Sequence, residues 1–87
     1  MGFARSLARE LGSRAITVNV IAPGPVETDM IAALTDERRA ELTAAVPLAR
    51  AASPDEIAGV VAFVASDDAA YITGAVIPVD GGLGMGH

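Results

Sequence analysis

The stretch Asn19–Met30, NVIAPGPVETDM, sets the reading of the whole chain. An apolar run halts at Pro23-Gly24, a second proline follows at once, and a small polar cluster of Glu27, Thr28 and Asp29 comes next. Upstream, Ile16, Thr17, Val18, Val20 and Ile21 are β-branched, and only Thr17 and Asn19 interrupt the apolar character. That is the pattern of a parallel strand covered on both faces, so a strand is expected over 16–22. Pro23 ends it, because proline cannot donate to a ladder and holds Ala22 extended. In open α/β sheets, ligands sit beyond the carboxyl ends of strands. The two prolines fix the path of this turn, leaving little conformational freedom to lose on binding. Gly24 lacks a Cβ that would keep a ligand off the backbone. A free N–H and C=O near Val26, with the Thr28 hydroxyl, suit an amide or a phosphate oxygen. The same run also reads as a Pro-Gly turn that only terminates a strand.

Outward from this stretch the pattern alternates. Phe3, Ala4, Leu7, Ala8 and Leu11 form one apolar stripe of a helix, and Gly12 is the expected left-handed residue that closes it. This helix shows no cap at its start, as though the chain began inside it. Residues 28–46 carry a weaker helical pattern in two pieces, with Thr35 as an N-cap, Asp36 and Glu37 in the first turn, and Pro47 as the stop. In SPDE, Ser53 is an N-cap, Pro54 takes the first helical position and Glu56 completes a capping box. Ile57, Val60, Val61 and Val64 continue that helix to about Ser66. GAVIPVDGG ends the pattern as a short strand, and Pro78 within it marks an edge. Helix, strand, helical excursion, helix, strand is an α/β order, and its two strands are expected to be parallel.

Composition limits the function classes. Eighty-seven residues make at most one small domain, and a chain of this size buries only about 60–65% of its unfolded surface. Hydrophobic residues make up 52% of it, too many for a disordered segment. Only Phe3, Phe63 and Tyr71 are aromatic, so the core must be built from small aliphatic side chains. Eleven carboxylates against six arginines give a net charge of −5, which argues against nucleic acid and anionic membrane surfaces. No apolar run reaches about 18 residues, so no membrane span is expected. The absence of cysteine excludes disulfides and fits a cytoplasmic protein. His87 is the only histidine and makes a poor metal site alone. Asp67-Asp68 reads as a helix-ending loop, Asp80 as the holder of the Asp-Gly-Gly turn, and Arg38 and Arg39 as a solvated helix face.

The runs FARSLARELGSRAITVNVIAPGPVETDM and SPDEIAGVVAFVASDDAAYITGAVIPVDGG resemble the C-terminal part of a short-chain dehydrogenase/reductase. More narrowly, they are similar to bacterial 3-oxoacyl-acyl-carrier-protein reductases, and the GGLGMGH ending resembles actinobacterial members. The resemblance spans nearly the whole chain but only the last third of the family's length. It implies the C-terminal part of a Rossmann-like, doubly wound parallel sheet, incomplete as a domain, with 28–47 as a substrate lid. It implies NADP(H) as cofactor, with Pro23 and Gly24 under the nicotinamide, the Val26 backbone on its carboxamide and the Thr28 hydroxyl on amide or phosphate. Arg14 matches an arginine that docks the acidic acyl carrier protein, and the first helix, last helix and last strand match surfaces of homotetramers. The substrate would be an acyl-carrier-protein-bound or other acyl-thioester 3-ketone of fatty acid biosynthesis.

The family's phosphate-binding glycine loop and its catalytic Ser, Tyr and Lys lie upstream of the part matched here. Tyr71 does not replace the catalytic tyrosine, since Ala75 stands where a lysine is needed and the chain holds no lysine. The 87 residues are therefore expected to carry no catalytic residue, to bind no cofactor tightly alone and to be inactive alone. A contrasting expectation is a small α/β module that self-associates through its apolar helices and the open edge of strand 16–22.

Overall fold

Three helices of this chain begin where a side chain supplies a missing hydrogen-bond acceptor. In the computed structural model, which describes residues 2–85, helix α4 (Pro54–Val64) starts on the expected capping box. Ser53 Oγ accepts from the Glu56 N–H at 3.3 Å, and Glu56 Oε1 accepts from the Ser53 N–H at 2.8 Å. The excursion after the turn is indeed two helices, α2 (Asp29–Ala32) and α3 (Asp36–Thr43). Thr28 caps the first through the Ile31 N–H, and Thr35 caps the second through the Arg38 N–H. Two orphan helix starts, each with a threonine in extended backbone before it, explain why the pattern breaks at 33–35.

The first helix, α1 (Gly2–Leu11), stops differently from expectation. Gly12 is not left-handed; it opens a 3₁₀ turn over Gly12–Arg14, and Ala15 takes the positive φ of 58°. Ala15 N–H bonds to Gly12 C=O and Ile16 N–H to Leu11 C=O, the paired bonds of a Schellman stop placed three residues late.

Strands β1 (Val20–Pro23) and β2 (Val76–Val79) pair in parallel, with Val20 opposite Val76 and Ala22 opposite Pro78. The strand expected over 16–22 thus begins only at Val20. Its partner turns away at Gly74, where φ is 73°, so only the bond from Gly74 N–H to Val18 C=O at 2.8 Å joins the two backbones there, and side chains supply the rest. Asn19 Nδ2 donates to Ile72 C=O at 3.0 Å, Asn19 Oδ1 accepts from Ala75 N–H at 3.1 Å, and Thr73 Oγ1 accepts from Val18 N–H. Bonds from Val20 N–H to Ala75 C=O and from Gly24 N–H to Val79 C=O fix which groups face inward. By the alternation of a parallel ladder, the nitrogens of Pro23 and Pro78 both point to the outer edges of the pair.

The core is slight. Only Ala8, Val46 and Ala69 are buried among the described residues, while Phe3 is 78% and Phe63 51% exposed. The chain exposes 6277 Å², against about 4,800 Å² for a compact monomer of this mass. Its radius of gyration of 15.6 Å likewise exceeds the roughly 12 Å of a compact 87-residue domain. No described helix is long and apolar enough to cross a membrane.

Candidate functional site

The turn after β1 gathers Pro23, Gly24, Val26 and Thr28 at the carboxyl end of the sheet. Its second half is held by the segment that leads into α4. Ala52 N–H donates to Pro25 C=O at 2.9 Å, and Glu27 N–H donates to Ala52 C=O at 2.7 Å. This single parallel bridge between Val26 and Ala52 uses the backbone groups on either side of Val26. The N–H and C=O of Val26 itself therefore point the other way, and neither has a hydrogen-bond partner among the described residues. Val26 is half-buried, so these two groups form a fixed donor–acceptor pair on a rigid backbone.

Thr28 adds a third group. Its Oγ1 accepts from the Ile31 N–H at 3.3 Å, which leaves the hydroxyl proton free to donate to an incoming acceptor. Capping and ligand contact are compatible here, because one uses a lone pair and the other the proton.

Gly24 has a rationale beside the one its sequence suggests. A Cβ at this position would stand 2.9 Å from both Cα and Cβ of Asp80. The space is taken by the end of β2, so close strand packing already demands glycine here. Asp80 in turn holds the C-terminal turn as expected, with its two carboxylate oxygens accepting from the N–H groups of Gly82 and Gly84. Arg14 is exposed on the 3₁₀ turn before β1, separated from the Pro23–Thr28 turn by the extended segment and the strand. It belongs to a basic region instead. Residues 1–14 carry three arginines and one glutamate, while the rest of the chain carries three arginines and ten carboxylates.

Three polar residues around the turn escape sequence reasoning. Asn19 substitutes for missing ladder bonds, as described above. Glu27 takes Arg39 in a two-pronged ion pair at 2.9 and 3.1 Å, so Arg39 is not simply solvated as its helix position suggests. Arg50 clasps Glu56 at 2.6 and 2.8 Å. That guanidinium, aided by the Ser53 N–H, holds the Glu56 carboxyl down at about 2, and the Glu56 carboxylate in turn raises Arg50 above its ordinary value. A hollow of about 230 Å³ beside this clasp is lined by Pro25, Ala52, Pro78 and Asp80 as well as the pair itself. Neither Val26 nor Thr28 lines it, so it is not where their free groups point. Tyr71 is fully exposed, and the described residues hold no cluster of three or more metal-ligating side chains.

The profile of a family described as enoyl-(acyl carrier protein) reductase matches residues 1–84. The chain belongs to the short-chain dehydrogenase/reductase family. Its parallel strand pair and flanking helices agree with part of that family's Rossmann-like α/β domain. Curated relatives of this family member include 3-oxoacyl-acyl-carrier-protein reductase MabA of Mycobacterium tuberculosis H37Rv, 54% identical over 87 residues. The FabG reductase of the same name from Escherichia coli K12 is 58% identical over 85 residues, and that of Pseudomonas aeruginosa 56% over 84. These alignments cover 100%, 98% and 97% of this chain but 35%, 35% and 34% of the relatives. The chain therefore spans about a third of the length of the curated relatives it matches.

Proposed function

We propose that these 87 residues provide the nicotinamide floor, substrate lid and oligomer contacts of an NADP(H)-dependent 3-oxoacyl-acyl-carrier-protein reductase. The observation that carries this reading is the unpartnered N–H and C=O of Val26, fixed on backbone at the carboxyl end of β1. A carboxamide presents one acceptor and two donors, and such a pair meets it from one side without any side chain. The Thr28 hydroxyl proton supplies the next contact, to the same amide or to a phosphate oxygen. Pro23 and Gly24 set the backbone path into this turn. A bound nicotinamide supplies the hydride; the chain's own groups orient the ring and keep it from turning over.

The 3-oxoacyl class is favoured over the enoyl class in the family description because relatives at 54–58% identity carry the 3-oxoacyl name. An acidic carrier protein would approach the basic region around Arg14, the one part of the chain that does not repel it. No Tyr-x-x-x-Lys pair exists in a chain without lysine, so the general acid for the ketone must come from an upstream part of the enzyme. A missing general acid costs about 10²–10⁴-fold in rate. We expect the 87-residue chain alone to oxidise no NADPH with a 3-ketoacyl thioester. Co-expression with the upstream part of the Escherichia coli relative should restore turnover, and Thr28→Val in that complex should weaken cofactor binding more than Thr28→Ser. Turnover by the isolated chain, or failure of several intact upstream parts to restore it, defeats the proposal.

A second reading has one observation in its favour. The surface exceeds that of a compact monomer by roughly 1,500 Å², nearly twice what each partner gives to a standard interface. A self-associating module accounts for this without any cofactor. Size-exclusion chromatography with NADPH titration separates the two readings: a discrete folded oligomer indifferent to NADPH supports the module.

A further inference from the structure

The segment between Thr28 and Val46 leaves and rejoins the body at two very different joints. At the far joint, Val46 is 3% exposed, its Cγ1 lies 2.7 Å from where a Cβ on Gly81 would stand, and Leu48 N–H donates to Gly81 C=O. Ala49 holds a left-handed φ of 59° there, a conformation kept only by surrounding constraint. That joint is locked to the C-terminal turn. The arm itself is not packed down. A cavity of about 250 Å³ lies beneath α3, lined by Glu27, Ile31, Arg39, Thr43 and Ala51 among others. Arg39 crosses it. Its Nη1 and Nη2 reach both carboxylate oxygens of Glu27, and Nη1 also donates to Ile31 C=O at 3.2 Å. Arg38, one residue earlier, stays on its own helix with Glu41.

We infer that Arg39 is a positioning residue: through Glu27 it latches the α2–α3 arm to the ligand-facing turn and fixes the orientation of Val26 and Thr28. Glu27 stands between those two residues, and its own N–H is already spent on Ala52. A planar guanidinium gripping both carboxylate oxygens fixes direction as well as distance, which a lysine does not. Movement of the arm is thereby passed to the turn, and a ligand that engages Val26 and Thr28 favours the latched arm in return. The pairing of arm and turn stands on geometry alone, whereas its effect on cofactor rests on the function proposed above.

The test has two arms. In the 87-residue chain, Arg39→Met and Arg39→Lys should speed amide hydrogen exchange across 29–43 by about fivefold, the upper end for a half-exposed ion pair. Exchange in α4 and β2 should not change, and the exchanged pair Glu27→Arg with Arg39→Glu should restore slow exchange in the arm. In the reconstituted complex with the upstream part, Arg39→Met should raise KM for NADPH about fivefold with kcat changed less than about twofold. Unchanged exchange over 29–43, or no recovery by the exchanged pair, overturns the latch whatever the complex does. Faster exchange with an unmoved KM overturns the positioning role. Faster exchange alongside a complex that never turns over leaves the latch standing and removes the proposed function.

Discussion

The two ends of the chain solve the same problem in opposite ways. From Arg50 onward, polar groups close locally: Ser53 with Glu56, Arg50 across Glu56, and both oxygens of Asp80 on the final turn. Gly81 and Gly82 then let Val46 and Pro47 press directly against that turn. From residue 2 to 19, by contrast, α1 buries only Ala8, which faces Gly74, and the extended segment is held by the side chains of Asn19 and Thr73 and one backbone bond from Gly74 N–H to Val18 C=O. Phe3 stays in solvent. Where a region's partners are its own sequence neighbours, it completes itself; where they are a second apolar layer, it stays open. Hydrogen-bonded closure is cheap in chain length, but apolar closure needs area.

The sharpest way to break this contrast is at Gly81. Gly81→Ala would place a Cβ 2.7 Å from Val46 Cγ1 at a φ of 64°, combining overlap with left-handed strain. Together these cost about 2–4 kcal/mol, enough to erase cooperative urea unfolding in a chain this small. If far-UV circular dichroism shows an unchanged urea midpoint, the C-terminal closure is not what holds that end together.

Acid comes next. Glu56 has a folded value of about 2 against an ordinary 4.5, so its contribution is full above pH 4.5 and is lost as pH falls toward about 2. Thermal midpoints should drop across that window, and Glu56→Gln should flatten the drop. A wild-type midpoint that is level from pH 5 to 2 would remove the clasp from the account of the C-terminal region.

The smallest effect sharpens the N-terminal side. Ala15→Gly relieves a left-handed alanine and should stabilise by about 0.5 kcal/mol after the unfolded-chain entropy is counted. Gly12→Ala, with nothing within 4 Å of its new Cβ, should not destabilise at all. A loss on Gly12→Ala would mean that the helix stops where its sequence first suggests.

What the sequence made legible was local. Ser53, Thr35 and Asp80 announce their roles because each acts within four residues of itself. The parallel pairing of β1 and β2 was also readable, from β-branched runs with a crossover between them. The late stop at Ala15 was not, since a glycine three residues earlier looked better suited. Nor was the short β1, because Asn19 reads as a polar interruption of a strand, whereas its side chain supplies bonds the ladder lacks. Gly24 was legible as a glycine that lets a neighbour approach the backbone, but its packing against Asp80 was not, since Asp80 lies 56 positions away in sequence. Glu27 and Arg39 are twelve residues apart, a separation that no helical or strand period marks. For the turn itself, what pins the neighbours of Val26, Ala52, was not readable, since it lies 26 residues on.

Pro23 and Pro78 carry a consequence beyond the pair they sit in. Each removes a donor from an outward edge, one on either side of the two strands. A further strand laid along either margin would meet a gap in its ladder within four residues, so endless stacking into fibrils is discouraged on both flanks. Whatever covers the bare helices of this chain is thus steered toward side-chain packing, which saturates at a finite number of copies.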